Sequence, residues 1–169
     1  EIVGLEQGDR VLFAGTGGDD GDILFFTNAR VLRTKLENIN SQQTPSARGV
    51  IGIKLQEEDV LLGGAVVADP KGYEVFIVSA NGFVKRVPID EFSHKGRGTM
   101  GVLSLNQTKS TGPVAAVGAA NVTETTTIDV LDKDGKRQRL LPRSIPIENR
   151  TNRGKKLIKL SQPVRVVVF

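Results

Sequence analysis

The sequence predicts an all-β fold made of four-stranded, propeller-like blades. Three observations predict it. An apolar strand, a turn and a basic strand recur with starts at Ile23, Val75 and Ile128, 52 and 53 residues apart. No window of 11 or more residues shows good helical periodicity, whereas the apolar runs are rich in β-branched and aromatic residues. The 169-residue chain also holds 19 Gly with no low-complexity run, the mark of many turns between short strands. Repeats of about 40–50 residues with four strands each are on the scale of propeller blades.

Half a repeat opens the chain, as Val3-Gly4-Leu5 leading to Val11-Leu12-Phe13. The divisions expected are a half-repeat and loop over 1–20, then blades over 21–69, 70–121 and 122–169. Each blade starts with a hairpin. The first reads Ile23-Leu24-Phe25-Phe26-Thr27-Asn28-Ala29-Arg30-Val31-Leu32-Arg33 and is one residue shorter than the others. Asn81-Gly82 and Asp134-Gly135 punctuate the second and third and predict type I′ turns, which need positive φ at both central residues.

An Arg-Gly pair in a polar loop follows each hairpin: Arg48-Gly49, Arg97-Gly98 and Arg153-Gly154, the arginines 49 and 56 residues apart. An apolar-x-Leu triplet comes next, at Ile53-Lys54-Leu55, Leu103-Ser104-Leu105 and Ile158-Lys159-Leu160. A last apolar run completes each unit, at 60–67, 114–117 and 164–169. A single blade cannot bury both faces, so the blades must stack into one continuous core.

Composition excludes several chemistries. With no Cys and one His, there is no disulfide framework, Cys-based zinc site or multi-His metal site. Gly15-Thr16-Gly17-Gly18 lacks the Lys-Ser/Thr of a phosphate-binding loop, and Asp132-Lys133-Asp134-Gly135 lacks the later carboxylates of a calcium loop. No run reaches membrane-span length and no signal peptide is visible, so the expected place is the cytoplasm. The start at Glu1 rather than Met suggests a trimmed domain.

Charge is uneven. Residues 1–70 carry a net −5 and residues 71–169 a net +9. The basic residues fall where the repeats place them: Arg48, Arg97 and Arg153 in the loops, and Arg30, Arg33, Lys85, Arg86, Lys136, Arg137 and Arg139 on the second hairpin strands. The third repeat adds Arg143, Arg150, Lys155, Lys156 and Lys159. Arg presents a planar fork of donors to phosphate oxygens, and Gly lets the main chain approach them. Three Arg-Gly loops, one in each repeat, would line a curved track for a DNA backbone. The alternative is a rim of solvated charge on a propeller-like scaffold for protein partners. Phe25, Phe26, Phe76 and Phe83 sit in strand patterns and are expected in the core, which disfavours single-strand stacking.

The ordered set resembles the C-terminal domain of the A subunit of bacterial type IIA topoisomerases, DNA gyrase and topoisomerase IV. The matching pieces are Asp22-Ile23-Leu24-Phe25-Phe26-Thr27-Asn28, the basic second hairpin strands and the Arg-Gly loops. The resemblance covers essentially the whole chain and implies a β-pinwheel, in which neighbouring blades exchange a strand. It implies double-stranded DNA as partner, together with the ATPase B subunit of the enzyme and the rest of the A subunit. The domain itself would be non-catalytic and need no cofactor, with ATP and Mg²⁺ serving the holoenzyme. Gyrase members carry a basic box, Gln-Arg-Arg-Gly-Gly-Arg-Gly. The nearest stretch here, Phe92-Ser93-His94-Lys95-Gly96-Arg97-Gly98, is a degenerate version that nominates Lys95, Gly96, Arg97 and Gly98 as DNA contacts. The chain has fewer blades than that family usually has, which implies an excised part or a shortened relative.

Overall fold

The computed structural model describes residues 4–18, 20–41 and 49–169. Among them are eleven strands and three single 3-10 turns, and no α-helix. The strands are β1 (Asp22–Thr27), β2 (Arg30–Lys35), β3 (Leu61–Val67), β4 (Tyr73–Ser79), β5 (Phe83–Pro88), β6 (Val102–Leu103), β7 (Val114–Asn121), β8 (Ile128–Asp132), β9 (Arg137–Leu140), β10 (Lys155–Lys156) and β11 (Pro163–Val168). They form three antiparallel sheets, ordered β3-β1-β2-β6, β10-β5-β4-β7 and β11-β8-β9.

The first two sheets each borrow a strand. β6 lies beyond the second hairpin yet pairs with β2, through Val31↔Val102 and Arg30↔Leu103. β10 lies beyond the third hairpin yet pairs with β5, through Val84↔Lys155 and Phe83↔Lys156. This is the strand exchange expected of a pinwheel.

Burial follows the strand period. Leu24, Phe26 and Val31 meet Val75, Ile77 and Val87 in a core between the first two sheets. Phe76, Val78 and Val84 meet Ile128 and Val130 in a second core between sheets two and three. Alternate residues of β4 therefore serve two different cores, and that is why Val75–Val78 are all buried. The outer face of sheet one, with Ile23, Phe25 and Leu32, is closed by Phe13, Leu36, Ile39 and Ile53. Phe13 meets Phe25 edge-on, with centroids 6.1 Å apart.

The outer face of sheet three is different. Pairing registers align Leu24 with Phe76 and Asp129, and Val31 with Val84 and Arg137. An apolar site that stacks a neighbouring sheet is thus replaced twice by charge. Asp129 is buried there and accepts from both Arg139 Nε and Nη2, at 2.7 and 2.8 Å. These bonds to Arg139, acting against burial, hold its carboxyl below the usual aspartate range. Repeat arrays place a polar outer face of this kind on blades at the end of a stack.

Several sequence expectations are corrected. Only Gly82 and Gly135 have positive φ in their turns, at 84° and 79°, so neither is type I′. Each is instead an i→i+3 turn closed by Gly82 N to Ser79 O (3.0 Å) or Gly135 N to Asp132 O (3.1 Å), with the Gly in the left-handed position. Side chains decide the choice: Asp132 Oδ1 accepts from the Asp134 and Lys136 amides, and Ser79 Oγ from the Phe83 amide. The first hairpin is indeed a residue shorter, with Phe26↔Val31 flanking its turn.

The exchanged strands lie at 102–103, sharing only Leu103 with its apolar-x-Leu triplet, and at 155–156, ahead of theirs, and Ile53-Lys54-Leu55 forms no strand. The opening half-repeat also forms no strand among its described residues, while Val3 lies outside them.

Candidate nucleic-acid interface

Each exchanged strand is delivered by the loop ahead of it, and that loop carries the candidate DNA contacts. Two anchors fix where it starts. Lys95 N donates to Arg33 O at 2.9 Å, and Glu148 N to Arg86 O at 2.9 Å. A glycine fixes where it ends. Gly101 and Gly154 have φ of 72° and 79°, and a Cβ there would lie 2.5 Å from Val31 O and 2.6 Å from Val84 O. Counted between these anchors, Arg97 corresponds to Arg150, and Gly101 to Gly154. The register expected from the Arg-Gly pairs, Arg97 with Arg153, is therefore wrong by three residues.

The corrected register exposes a repeated contact. Arg97 Nη1 donates to Ile51 O (3.4 Å), and Arg150 Nη1 donates to Leu103 O (3.0 Å). Ile51 and Leu103 occupy the same position of successive repeats, 52 residues apart. Each loop arginine thus leans on the segment that the preceding repeat contributes, and the loops line up along one rim. Arg48 lies outside the described residues.

The other nominated residues divide by their surroundings. Lys95, Gly96, Arg153, Lys155 and Lys156 are exposed, and Arg97, Gly98 and Arg150 half-buried. Gly98 has φ of 74°, and its amide donates to Gly52 O at 2.7 Å. Gly96 O accepts from Thr99 Oγ1 at 2.9 Å. The Arg153 guanidinium sits 5.9 Å over the Phe83 ring. Phe83 is half-buried, while Phe25, Phe26 and Phe76 are in the cores as expected.

Away from this rim, Arg137 and Arg139 are exposed, but Asp129 engages both. Arg143 is exposed in the Pro142–Ser144 turn and lines a groove with Arg86, Thr123, Thr126 and Leu141.

Two nominated residues are structural. Arg86 donates to Glu74 Oε2 (2.8 Å) and Ile145 O (3.0 Å). Arg33, its counterpart, donates to Asp22 Oδ2 (2.6 Å) and Ile89 O (3.0 Å). Both latch a hairpin to the 3-10 turn of the next repeat. Lys85 has no exposed surface at all. Its ammonium donates to the carbonyls of Asn149 (2.9 Å), Arg150 (2.6 Å) and Asn152 (2.6 Å). Burial pushes its pKa down to about 8, opposed by Glu148 and Glu91 and assisted by Arg150. Strand alternation makes half of such residues face inward, but only the fold reveals which half.

His94, next to the nominated Lys95, stands 2.8 Å from Asp22 Oδ1. Asp22 is wholly buried and also takes Lys35 Nζ at 3.1 Å. Burial raises its pKa, but bonds from His94, Arg33 and Lys35 together bring it below the usual aspartate value. No sequence motif flags this cluster: Asp22, Arg33 and Lys35 share one hairpin, but His94 comes from the next repeat, 72 residues along.

An all-β stack whose blades trade a strand with the next repeat defines a β-pinwheel, a propeller-like class. Residues 21–68 and 73–117 match the family described as DNA gyrase C-terminal domain, beta-propeller, and the chain belongs to that family. It is 34% identical to the DNA gyrase A subunit of Aminobacterium colombiense over 95% of this chain and 19% of that protein. It is 30% identical to the corresponding protein of Escherichia coli K12 over 98% of this chain and 18% of that protein. The chain thus spans about a fifth of the curated relatives it matches. Its fold superposes on the crystal structure of the C-terminal domain of DNA topoisomerase IV with a TM-score of 0.77, 19% identity, 89% of this chain and 47% of that one. The E. coli ParC C-terminal domain gives a TM-score of 0.73 at 15% identity, over 99% of this chain and 68% of that one.

Proposed function

We propose that this chain is a duplex DNA-holding accessory module of a gyrase or topoisomerase IV A subunit. It holds the DNA that flanks the cleaved segment and bends it along a basic rim. The observation that carries this reading is the repeated loop arginine. Arg97 and Arg150 lean on equivalent carbonyls, so Lys95, Arg153, Lys155 and Lys156 stand exposed beside points that recur from blade to blade. That spacing suits a polymer of regular charge. In this reading cleavage and ATP hydrolysis with Mg²⁺ belong to other domains and to the B subunit, and the module needs no cofactor.

Phosphate contacts are made without base readout, so binding is set by salt and by DNA bendability. With about six phosphate contacts, affinity for a duplex falls about 10³-fold between 50 and 200 mM salt. Fluorescence anisotropy on unrelated duplexes measures it, and salt-independent binding refutes the reading. Ligation of nicked circular DNA with the protein bound then reports bending and the sign of any wrap. Lys155→Glu with Lys156→Glu lowers affinity for all duplexes about equally and flattens the salt slope by about two contacts. A loss confined to one sequence contradicts backbone recognition.

A protein-scaffold reading rests on apolar residues exposed near the same loops, Ile51 (70%), Ile147 (56%) and Leu103 (44%). DNA binding that survives Ile51→Ser but vanishes in Lys155→Glu/Lys156→Glu separates the two.

A further inference from the structure

The three hairpins place a different residue at one equivalent, inward-facing position: Leu32, Lys85 and Gln138. Leu32 is plain core. Gln138 bonds across to Leu157 O and Lys159 N. Lys85 alone sends a charge into the loop of the following repeat, where three backbone carbonyls converge on it. Backbone carbonyls of a loop normally turn to water. Turning three of them inward onto one ammonium fixes the loop's main chain over Asn149–Asn152. Two further ties close the same loop: Glu148 Oε2 accepts from Gly154 N (2.9 Å), and Arg150 reaches Leu103 O. At the corresponding position of the first hairpin stands the apolar Leu32, and the corresponding loop over 96–99 makes its own Thr99–Gly96 bond.

We propose that Lys85 is the positioning residue of the 149–156 segment, fixing from inside the protein the main chain that presents Arg150, Arg153, Lys155 and Lys156. That these four side chains meet DNA rests on the function proposed above. Lys85 itself touches no ligand. Its role is to remove the loop's freedom before binding, so that less ordering entropy is lost when a phosphate backbone arrives.

The test uses Lys85→Leu, which installs the side chain found at the same position of the first hairpin, with Lys85→Arg as the conservative variant. Amide hydrogen exchange of residues 149–154 reads positioning without any DNA. The expected result is at least tenfold faster exchange there in Lys85→Leu, no change over 96–101, and partial rescue in Lys85→Arg. Duplex affinity falls about three- to tenfold alongside. Equal exchange in wild type and Lys85→Leu overturns the proposal.

A second measurement needs no variant. The clamped amine has a pKa near 8 because burial disfavours its charge, whereas an opened loop returns it to the lysine range near 10.4. Opening takes up a proton above pH 8, so loop protection rises from pH 7 to 9.5 once intrinsic exchange is divided out. The groups facing the amine are Glu148 and Arg150 in the loop and Glu91 in the preceding turn. Lys85→Leu gives a flat profile. Slower loop exchange in wild type with no duplex binding at low salt keeps Lys85's positioning role and refutes the DNA reading instead.

Discussion

Gly154→Val unseats the strand shared between the second and third repeats and lowers stability by about 3–5 kcal/mol. Two costs add at this residue. Its φ of 79° is a left-handed conformation that a β-branched side chain resists. Its new Cβ would also stand 2.6 Å from Val84 O and 2.9 Å from Val84 C, which are backbone atoms of β5 and cannot swing aside. Relief requires β10 to move off β5, and that opens the edge of the second sheet. For a domain of this size the melting temperature falls about 10 °C. Gly49 is the control. It stands 52 residues before Gly101, yet it has no positive φ and nothing within 4 Å of its Cβ position, and Gly49→Val changes stability by less than about 0.5 kcal/mol. Thermal unfolding followed by circular dichroism compares the two. Equal losses refute the account.

Asp22→Asn costs about 3–5 kcal/mol, because it leaves Arg33 buried beside a neutral partner. One carboxylate serves two cations and an imidazole: Arg33 at 2.6 Å, Lys35 at 3.1 Å and His94 Nε2 at 2.8 Å. His94 belongs to the second repeat, so the cluster also pins the loop that carries Lys95 and Arg97. Acid titration provides the second readout. The folded carboxyl has its pKa below the unfolded value of about 3.9, so folding favours the ionised form. Its contribution is complete above the unfolded value and disappears as pH falls through the lower folded one. Wild type therefore loses stability more steeply than Asp22→Asn on acidification below about pH 4. Parallel curves in urea unfolding between pH 5 and 2.5 refute this role.

The hairpins were legible because their signals are local. Ile23, Val75 and Ile128 open strands at or within two residues of where the spacing puts them. The loops were misaligned because Arg-Gly is too short a word. The 56-residue step from Arg97 to Arg153 conflicts with the 53-residue step of the hairpins, and the structure follows the hairpins. Strand exchange was legible only through the family resemblance, since a two-residue strand pairing far along the chain leaves no periodic trace. The candidate interface was half legible. Composition and repeats found its basic residues, but strand alternation alone could not tell inward Lys85 from outward Lys155. The Asp22 cluster left no signal, because His94 reaches its hairpin from the next repeat by tertiary packing.

Strand exchange also sets a schedule for folding during synthesis. The first sheet has three of its strands once Val67 has emerged, but its edge at β2 stays open until Val102–Leu103 follow. That gap is about 35 residues, or roughly two to seven seconds at about 5–20 residues per second. The second sheet waits similarly for Lys155–Lys156, after β7 has ended at Asn121. During each interval a bare strand edge faces the cell, and such edges recruit other chains. The residues on β2 and β5 that flank the missing strand include Arg30, Arg33, Lys85 and Arg86. Charge that later serves as latch and clamp thus first serves to keep a waiting edge from pairing wrongly.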